Sequence, residues 1–186
     1  MNTILTSSKT RRLHIMSNNS SKLKKLAYAG VLAAFVFIAT QIRVPTAIGY
    51  INLGDGVILI SSFVLGPIAF FPAAIGSVLS DILAGYGQYV IPTFLIKGTM
   101  GYVAGVILRK ASPSIVRKLI TGIIAEIIMV AGYFAFESLP FMYGVVAAAG
   151  SLLFNAIQGV AAIVIFIPVS LIPALNKVRG SFAQNE

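Results

Sequence analysis

A chain of 186 residues that is 58% hydrophobic and only 10% charged departs from a soluble domain, in which roughly 25% of residues are charged. No soluble fold hides that much apolar surface, so the excess faces lipid and a single membrane domain is expected. The net charge of +9 sits at the ends of apolar runs and not in a stripe interleaved with aromatics, which points to membrane orientation and argues against nucleic acid as a partner.

Residues 1–21 read as a polar, basic cytoplasmic tail carrying Lys9, Arg11 and Arg12, with Lys22, Lys24 and Lys25 just beyond it. Met16 offers a second start, because residues 17–25 already supply an ordinary cytoplasmic lead. The first apolar run, 26–42, has no small-x-small cleavage site after it and is read as a retained helix. Residues 43–52 are a broken segment with Pro45 and Gly49 as turn signals. The next run, 53–84, is about one and a half times the length of a single span, and Gly66-Pro67 and Pro72 break it near its middle. A turn region at 85–92 precedes runs at 93–108, 119–136 and about 144–175, the last with Pro168 inside it. A short tail, 181–186, closes the chain.

Charge decides whether 53–84 crosses once or twice. Twelve of the 14 basic residues fall in three clusters: the N-terminal tail, Arg109-Lys110 with Arg117-Lys118, and Lys177 with Arg179. Six spans put all three clusters on one side; five move the last two to the other side. The positive-inside rule selects six. The expected fold is an all-α integral membrane bundle of six transmembrane helices over 22–180, with both termini cytoplasmic. No internal repeat is evident.

Chemistry is limited by what is missing. The absence of Cys removes disulfides, thiolate catalysis and Zn–Cys or iron–sulfur sites. The single His, His14, lies in the tail, so no histidine is left for an intramembrane proton relay or a serine–histidine dyad at Gly76-Ser77. There is no phosphate-binding loop of the G-x-x-x-x-G-K-[ST] type. No metal and no cofactor are expected.

Ionisable groups at mid-membrane cost about 2.5–3.5 kcal/mol or more, so each needs a partner or a purpose. Four stand out: Asp55, Asp81, Lys97 and Glu126. Glu126, Met129, Tyr133 and Glu137 share one face of the fifth helix, and Ser151, Asn155 and Gln158 one face of the sixth. Counting from the outer ends places Glu126 and Asn155 at similar depth, so the two stripes are expected to meet across a cavity, with Thr93, Lys97 and Gly101 as a third stripe on the fourth helix. Tyr50, Tyr86, Tyr89, Tyr133 and Tyr143 gather near the same end, where they serve an aromatic belt or stack on a flat ligand. The plainer alternative is structural: Lys97 and Asp81 as a self-neutralising pair, with Asn155 and Gln158 as interhelical glue. Small residues at Ala29, Gly30, Ala33 and Ala34, and at Gly101-x-x-x-Gly105, allow close helix approach, within the bundle or to a partner.

These features together resemble the substrate-binding S component of an energy-coupling factor (ECF) vitamin transporter. The resemblance covers about residues 22–180. It rests on six short spans, Ala29-x-x-x-Ala33, Ile51-Asn52-Leu53-Gly54-Asp55 opening the second helix, and Leu65-Gly66-Pro67 followed by Gly76 and Asp81. Phe70-Phe71-Pro72 departs from it, since smaller residues are expected there. The resemblance implies residence in the bacterial cytoplasmic membrane among lipid, and a vitamin captured from outside beneath a lid at 43–52. It also implies a transmembrane T component docking on Ala29 and Ala33, flanked here by Gly30 and Ala34, two cytoplasmic ATPases as the engine, and release by toppling in the membrane. The loops and third helix look closest to members for pyridoxine or hydroxymethylpyrimidine. The expected substrate-binding residues are Glu126, Tyr133, Asn155, Gln158, Lys97, Asp55, Tyr89 and Tyr50, with Tyr133 stacking and Glu126 bonding a ring N–H or amine.

Three rivals make different predictions. An ion-coupled secondary carrier would transport in vesicles alone, without ATP. A membrane enzyme needs clustered carboxylates or a His or Cys nucleophile system, which the chain lacks. A purely structural subunit would carry no ligand.

Overall fold

The computed structural model describes the backbone of residues 2–109 and 113–183, and the side chains of 22–109 and 113–182. In chain order it runs α1 (Asn2–Gln41), β1 (Arg43–Pro45), β2 (Tyr50–Asn52), α2 (Gly54–Leu65), a 3-10 turn (Gly66–Ala69), α3 (Phe70–Leu83), a second 3-10 turn (Gly87–Tyr89), α4 (Val90–Leu108), α5 (Ile115–Glu137), α6 (Gly144–Val169) and α7 (Pro173–Ala183). Among the described residues five segments are long and apolar enough to cross a membrane, one of them Gly54–Leu83, a stretch of 30 residues.

That stretch folds back on itself. Gly54, at the start of α2, lies against Thr40 near the end of α1. Near the end of α3, Ser80 accepts from Gln41 Nε2 at 2.8 Å and Asp81 accepts from Tyr50 OH at 2.6 Å. Both ends of the stretch therefore sit at the same end of α1, and the chain crosses six times. The reversal is made at Gly66, whose φ of 64° suits glycine. Here the turn meets α4 at Gly105, where an added Cβ would collide with the Gly66 carbonyl. α2 has 12 residues, about 18 Å of helix, short of a hydrocarbon core of roughly 30 Å. Its length is tolerated because it is central: Ile58, Leu59, Phe63, Val64 and Leu65 are all buried against other helices.

The bundle is apolar outside, and its buried polar residues lie on inward faces beside an apolar core. α3 exposes Phe71, Ile75, Leu79 and Ile82, at the three- and four-residue spacing of one helix face, and buries Ser77, Ser80 and Asp81 on the other. α6 likewise exposes Leu153, Ile157, Val160 and Val164 and buries Ser151 and Gln158. Small residues set the contacts: an added Cβ at Gly76 on α3 would collide with the Ala33 carbonyl and Val36 of α1. The bulk at Phe70 is absorbed by α4, whose Gly98 leaves room for the ring, and Phe70 also meets Phe94 edge-on at 5.4 Å.

Two features depart from expectation. The segment 43–52 is an antiparallel hairpin pairing Arg43 with Asn52 and Pro45 with Tyr50, closed by a bond from Thr46 N to Gly49 O at 3.0 Å. The last apolar run does not continue to 175: α6 ends at Val169 and α7 begins at Pro173. Proline at a first helical position has its φ preset and gives up an N–H with no helical partner. α7 closes the basic end. Arg179 bonds the Leu108 carbonyl, Phe182 meets Tyr28 edge-on at 5.2 Å, and Lys118 Nζ reaches the Ser170 carbonyl at 3.2 Å.

Candidate functional site

At the hairpin end the helices surround a partly open cavity, with about 580 Å³ of empty space when the solvent at its mouth is included. The hairpin roofs it through Thr46, Ile48 and Tyr50. One wall is a run of tyrosines. Tyr50 and Tyr86 are 5.3 Å apart at ring centres, Tyr86 and Tyr89 5.9 Å, and Tyr89 and Tyr133 6.1 Å. Each hydroxyl along this wall that finds a partner finds a polar one. Tyr50 donates to Asp81, Tyr89 donates to Glu137 Oε1 at 3.0 Å, and Tyr133 shares a bond with Thr93 at 2.9 Å. Burial and the adjacent Asp81 carboxylate raise the pKa of the Tyr50 phenol above its ordinary value, so it stays a neutral donor.

The floor is a charged network. Lys97 Nζ on α4 lies 2.5 Å from Asp55 Oδ1 on α2, and Gln158 Nε2 on α6 donates to Asp55 Oδ2 at 2.5 Å. Gln158 Oε1 then accepts from the backbone N of Asn52 at 2.7 Å and from its side chain at 3.3 Å. Asn52 Oδ1 accepts in turn from Gly54 N at 2.8 Å. Three helices and the hairpin are thus joined by one chain of bonds. Lys97 also stands 5.3 Å from the centre of the Tyr133 ring, a cation–π distance.

Of the eight residues expected to touch substrate, Tyr133, Asn155, Gln158, Lys97, Tyr89 and Tyr50 line the cavity. Glu126 and Asp55 are not among its lining residues. Asp55 belongs to the floor network through Lys97 and Gln158 but is itself fully buried. Glu126 is 6% exposed and packs against Gly159, one turn deeper on α6 than Asn155, and neither of its carboxylate oxygens has a hydrogen-bond partner among the described residues. The expected equal depth fails because α5 and α6 are not level. Ser151, seven residues into α6, bonds Glu137 at the end of α5 at 2.6 Å, so α6 starts roughly 10 Å beyond α5. The Lys97–Asp81 pairing is not formed; Lys97 takes Asp55 and Asp81 takes Tyr50.

The sequence reading left Asp81, Glu137 and Ser151 out of its site, although all three line the cavity. Their signal was present: Asp81 stood out as an ionisable group but was read as a structural partner of Lys97, and Glu137 and Ser151 lay on the two stripes expected to meet across a cavity. Asn155 is half-buried, with a side-chain amide uncommitted among the described residues. The small residues of α1 divide: Ala29 is buried in the core and Ala33 is half-buried, its carbonyl against Gly76, whereas Gly30 and Ala34 are exposed.

The family model for the S component of ECF-type riboflavin transporters matches residues 20–177. The chain belongs to this family. An uncharacterised protein of the gap 3′ region from Pyrococcus woesei is 31% identical over 126 residues, 67% of this chain and 82% of that protein. An ECF S component is a membrane-embedded substrate-binding subunit of a transporter and not an enzyme. Its polar cup at the hairpin end, opposite the basic clusters, sits in the part of this S component where a concave, mostly aromatic wall meets converging polar groups.

Proposed function

We propose that this S component captures a flat, hydroxyl-bearing heteroaromatic vitamin from the outer face of the cytoplasmic membrane. ATP hydrolysis on partner subunits then drives its uptake. The tyrosine wall carries the reading. Rings from Tyr50 to Tyr133 stand in sequence along one side of a cavity, a surface on which a flat ring stacks. Lys97, Asn155 and Ser151 also line the cavity and can meet ring heteroatoms and hydroxyls. The basic clusters assign the opposite end to the cytoplasm. Riboflavin enters as a ligand from the family's name, and pyridoxine and hydroxymethylpyrimidine enter from the resemblance of the loops and α3.

The engine is a transmembrane T component with two ATPases. On α1 the surface open to such a partner centres on Gly30 and Ala34, where small side chains allow close approach.

Calorimetry of the detergent-purified chain with riboflavin, pyridoxine and hydroxymethylpyrimidine tests the reading. Saturable binding of one of the three is expected, weakened about tenfold by Asn155→Ala. Failure of all three to bind overturns it. Uptake by vesicles holding this chain alone, without ATP, would support the secondary carrier instead.

A further inference from the structure

Among the cavity-lining carboxylates one acceptor is unused. Glu137 spends both oxygens, on Tyr89 and Ser151. Asp81 spends only Oδ1, on Tyr50; its Oδ2 is buried with no hydrogen-bond partner among the described residues. The residue itself is 7% exposed and lines the cavity. A buried carboxylate oxygen left without a donor is costly, because it has lost water and gained nothing. The neighbouring groups relieve it only in part. The Lys97 ammonium is held by Asp55. The Thr93 hydroxyl lies near Asp81 and also meets Tyr133, in a bond where either oxygen can donate. Arg43 lies over the Tyr50 ring, 5.4 Å from its centre, and is not among the cavity-lining residues.

We infer that Asp81 is a specificity-determining residue whose Oδ2 accepts a hydrogen bond from an N–H or O–H group on the bound vitamin. The inference rests on the proposed binding function of the cavity. It goes further by stating what the ligand must present at the α3 wall: a donor, such as an exocyclic amine, a ring N–H or a hydroxyl, and not a carbonyl or phosphate oxygen. The same carboxylate is tied through Oδ1 to Tyr50 of the hairpin, so the group that reads the ligand also touches the roof.

The test is calorimetry on wild type, Asp81→Asn and Tyr50→Phe, with riboflavin, pyridoxine and hydroxymethylpyrimidine as probes. Asp81→Asn keeps the shape and replaces a charge-assisted acceptor by a neutral one, and is expected to weaken the bound vitamin about tenfold. Tyr50→Phe keeps the ring on the wall and the carboxylate in place and removes only the hydroxyl's bond to Oδ1, and is expected to lose clearly less affinity than Asp81→Asn. A thermal melt of each variant in detergent separates misfolding from lost recognition. Wild type that binds with Asp81→Asn unchanged, or with Tyr50→Phe losing as much as Asp81→Asn, overturns the inference and leaves the binding function standing. Wild type that binds none of the three overturns both.

Discussion

Lys97 and Asp55 meet at 2.5 Å with side chains only 5% and 1% exposed. Burying both charges is expensive, and the pair repays it only while each partner is present. Lys97→Met should therefore leave Asp55 as an uncompensated charge and cost about 3–5 kcal/mol. Adding Asp55→Asn to that variant should restore a large part of the loss, since the orphaned charge is then gone. Unfolding of the three proteins in detergent micelles measures both steps. A single variant as stable as the double would show that Asp55 finds another partner. The presence of both residues was legible in the sequence, because a charge in an apolar run is conspicuous. Their pairing was not, because Lys97 and Asp55 are 42 positions apart and Asp81 was an equally plausible partner on helix ends alone. Only the packing of α2 into the centre of the bundle chooses between them.

The hairpin and α6 are joined through one side chain. Gln158 accepts from Asn52 on β2 and donates to Asp55 on α2, so both ends of its amide are committed. It belongs to the support of the cup more than to the surface that reads a ligand. Gln158→Leu keeps the volume and cuts these bonds. Ligand dissociation should then quicken about tenfold with association nearly unchanged, because loosening a closed roof acts mainly on the exit step. Stopped-flow binding with the vitamin found by calorimetry measures both rates, and an unchanged off-rate would place the hairpin's hold elsewhere. At this scale the sequence showed where elements break, through Gly66-Pro67 and the turn residues at 43–52, since those signals are local. It did not show the hairpin pairing of Arg43 with Asn52 or the separate α7. Strand pairing over three residues leaves almost no pattern, and Leu171-Ile172-Pro173 reads as the continuation of an apolar helix until its geometry is known.

The six crossings of the whole molecule follow from the charge clusters and from the fold-back of Gly54–Leu83, and these two arguments are independent. The chain has no Cys, so single cysteines report topology without background. Ala47 in the hairpin, Gln88 after α3 and Lys177 on α7 are all exposed. With six crossings, Ala47→Cys and Gln88→Cys share one side and Lys177→Cys lies on the other. If 53–84 crossed only once, Gln88→Cys would change sides and join neither its hairpin neighbour nor the cup. A membrane-impermeant maleimide applied to intact cells should label Ala47→Cys and Gln88→Cys, and should reach Lys177→Cys only after permeabilisation. Labelling of Ala47→Cys and Gln88→Cys should also fall when the vitamin is present, since each adjoins a cavity-lining residue in the chain, Thr46 and Tyr89. Labelling of Gln88→Cys only in permeabilised cells would separate the tyrosines of one wall across the membrane, and the binding cup could not exist as drawn.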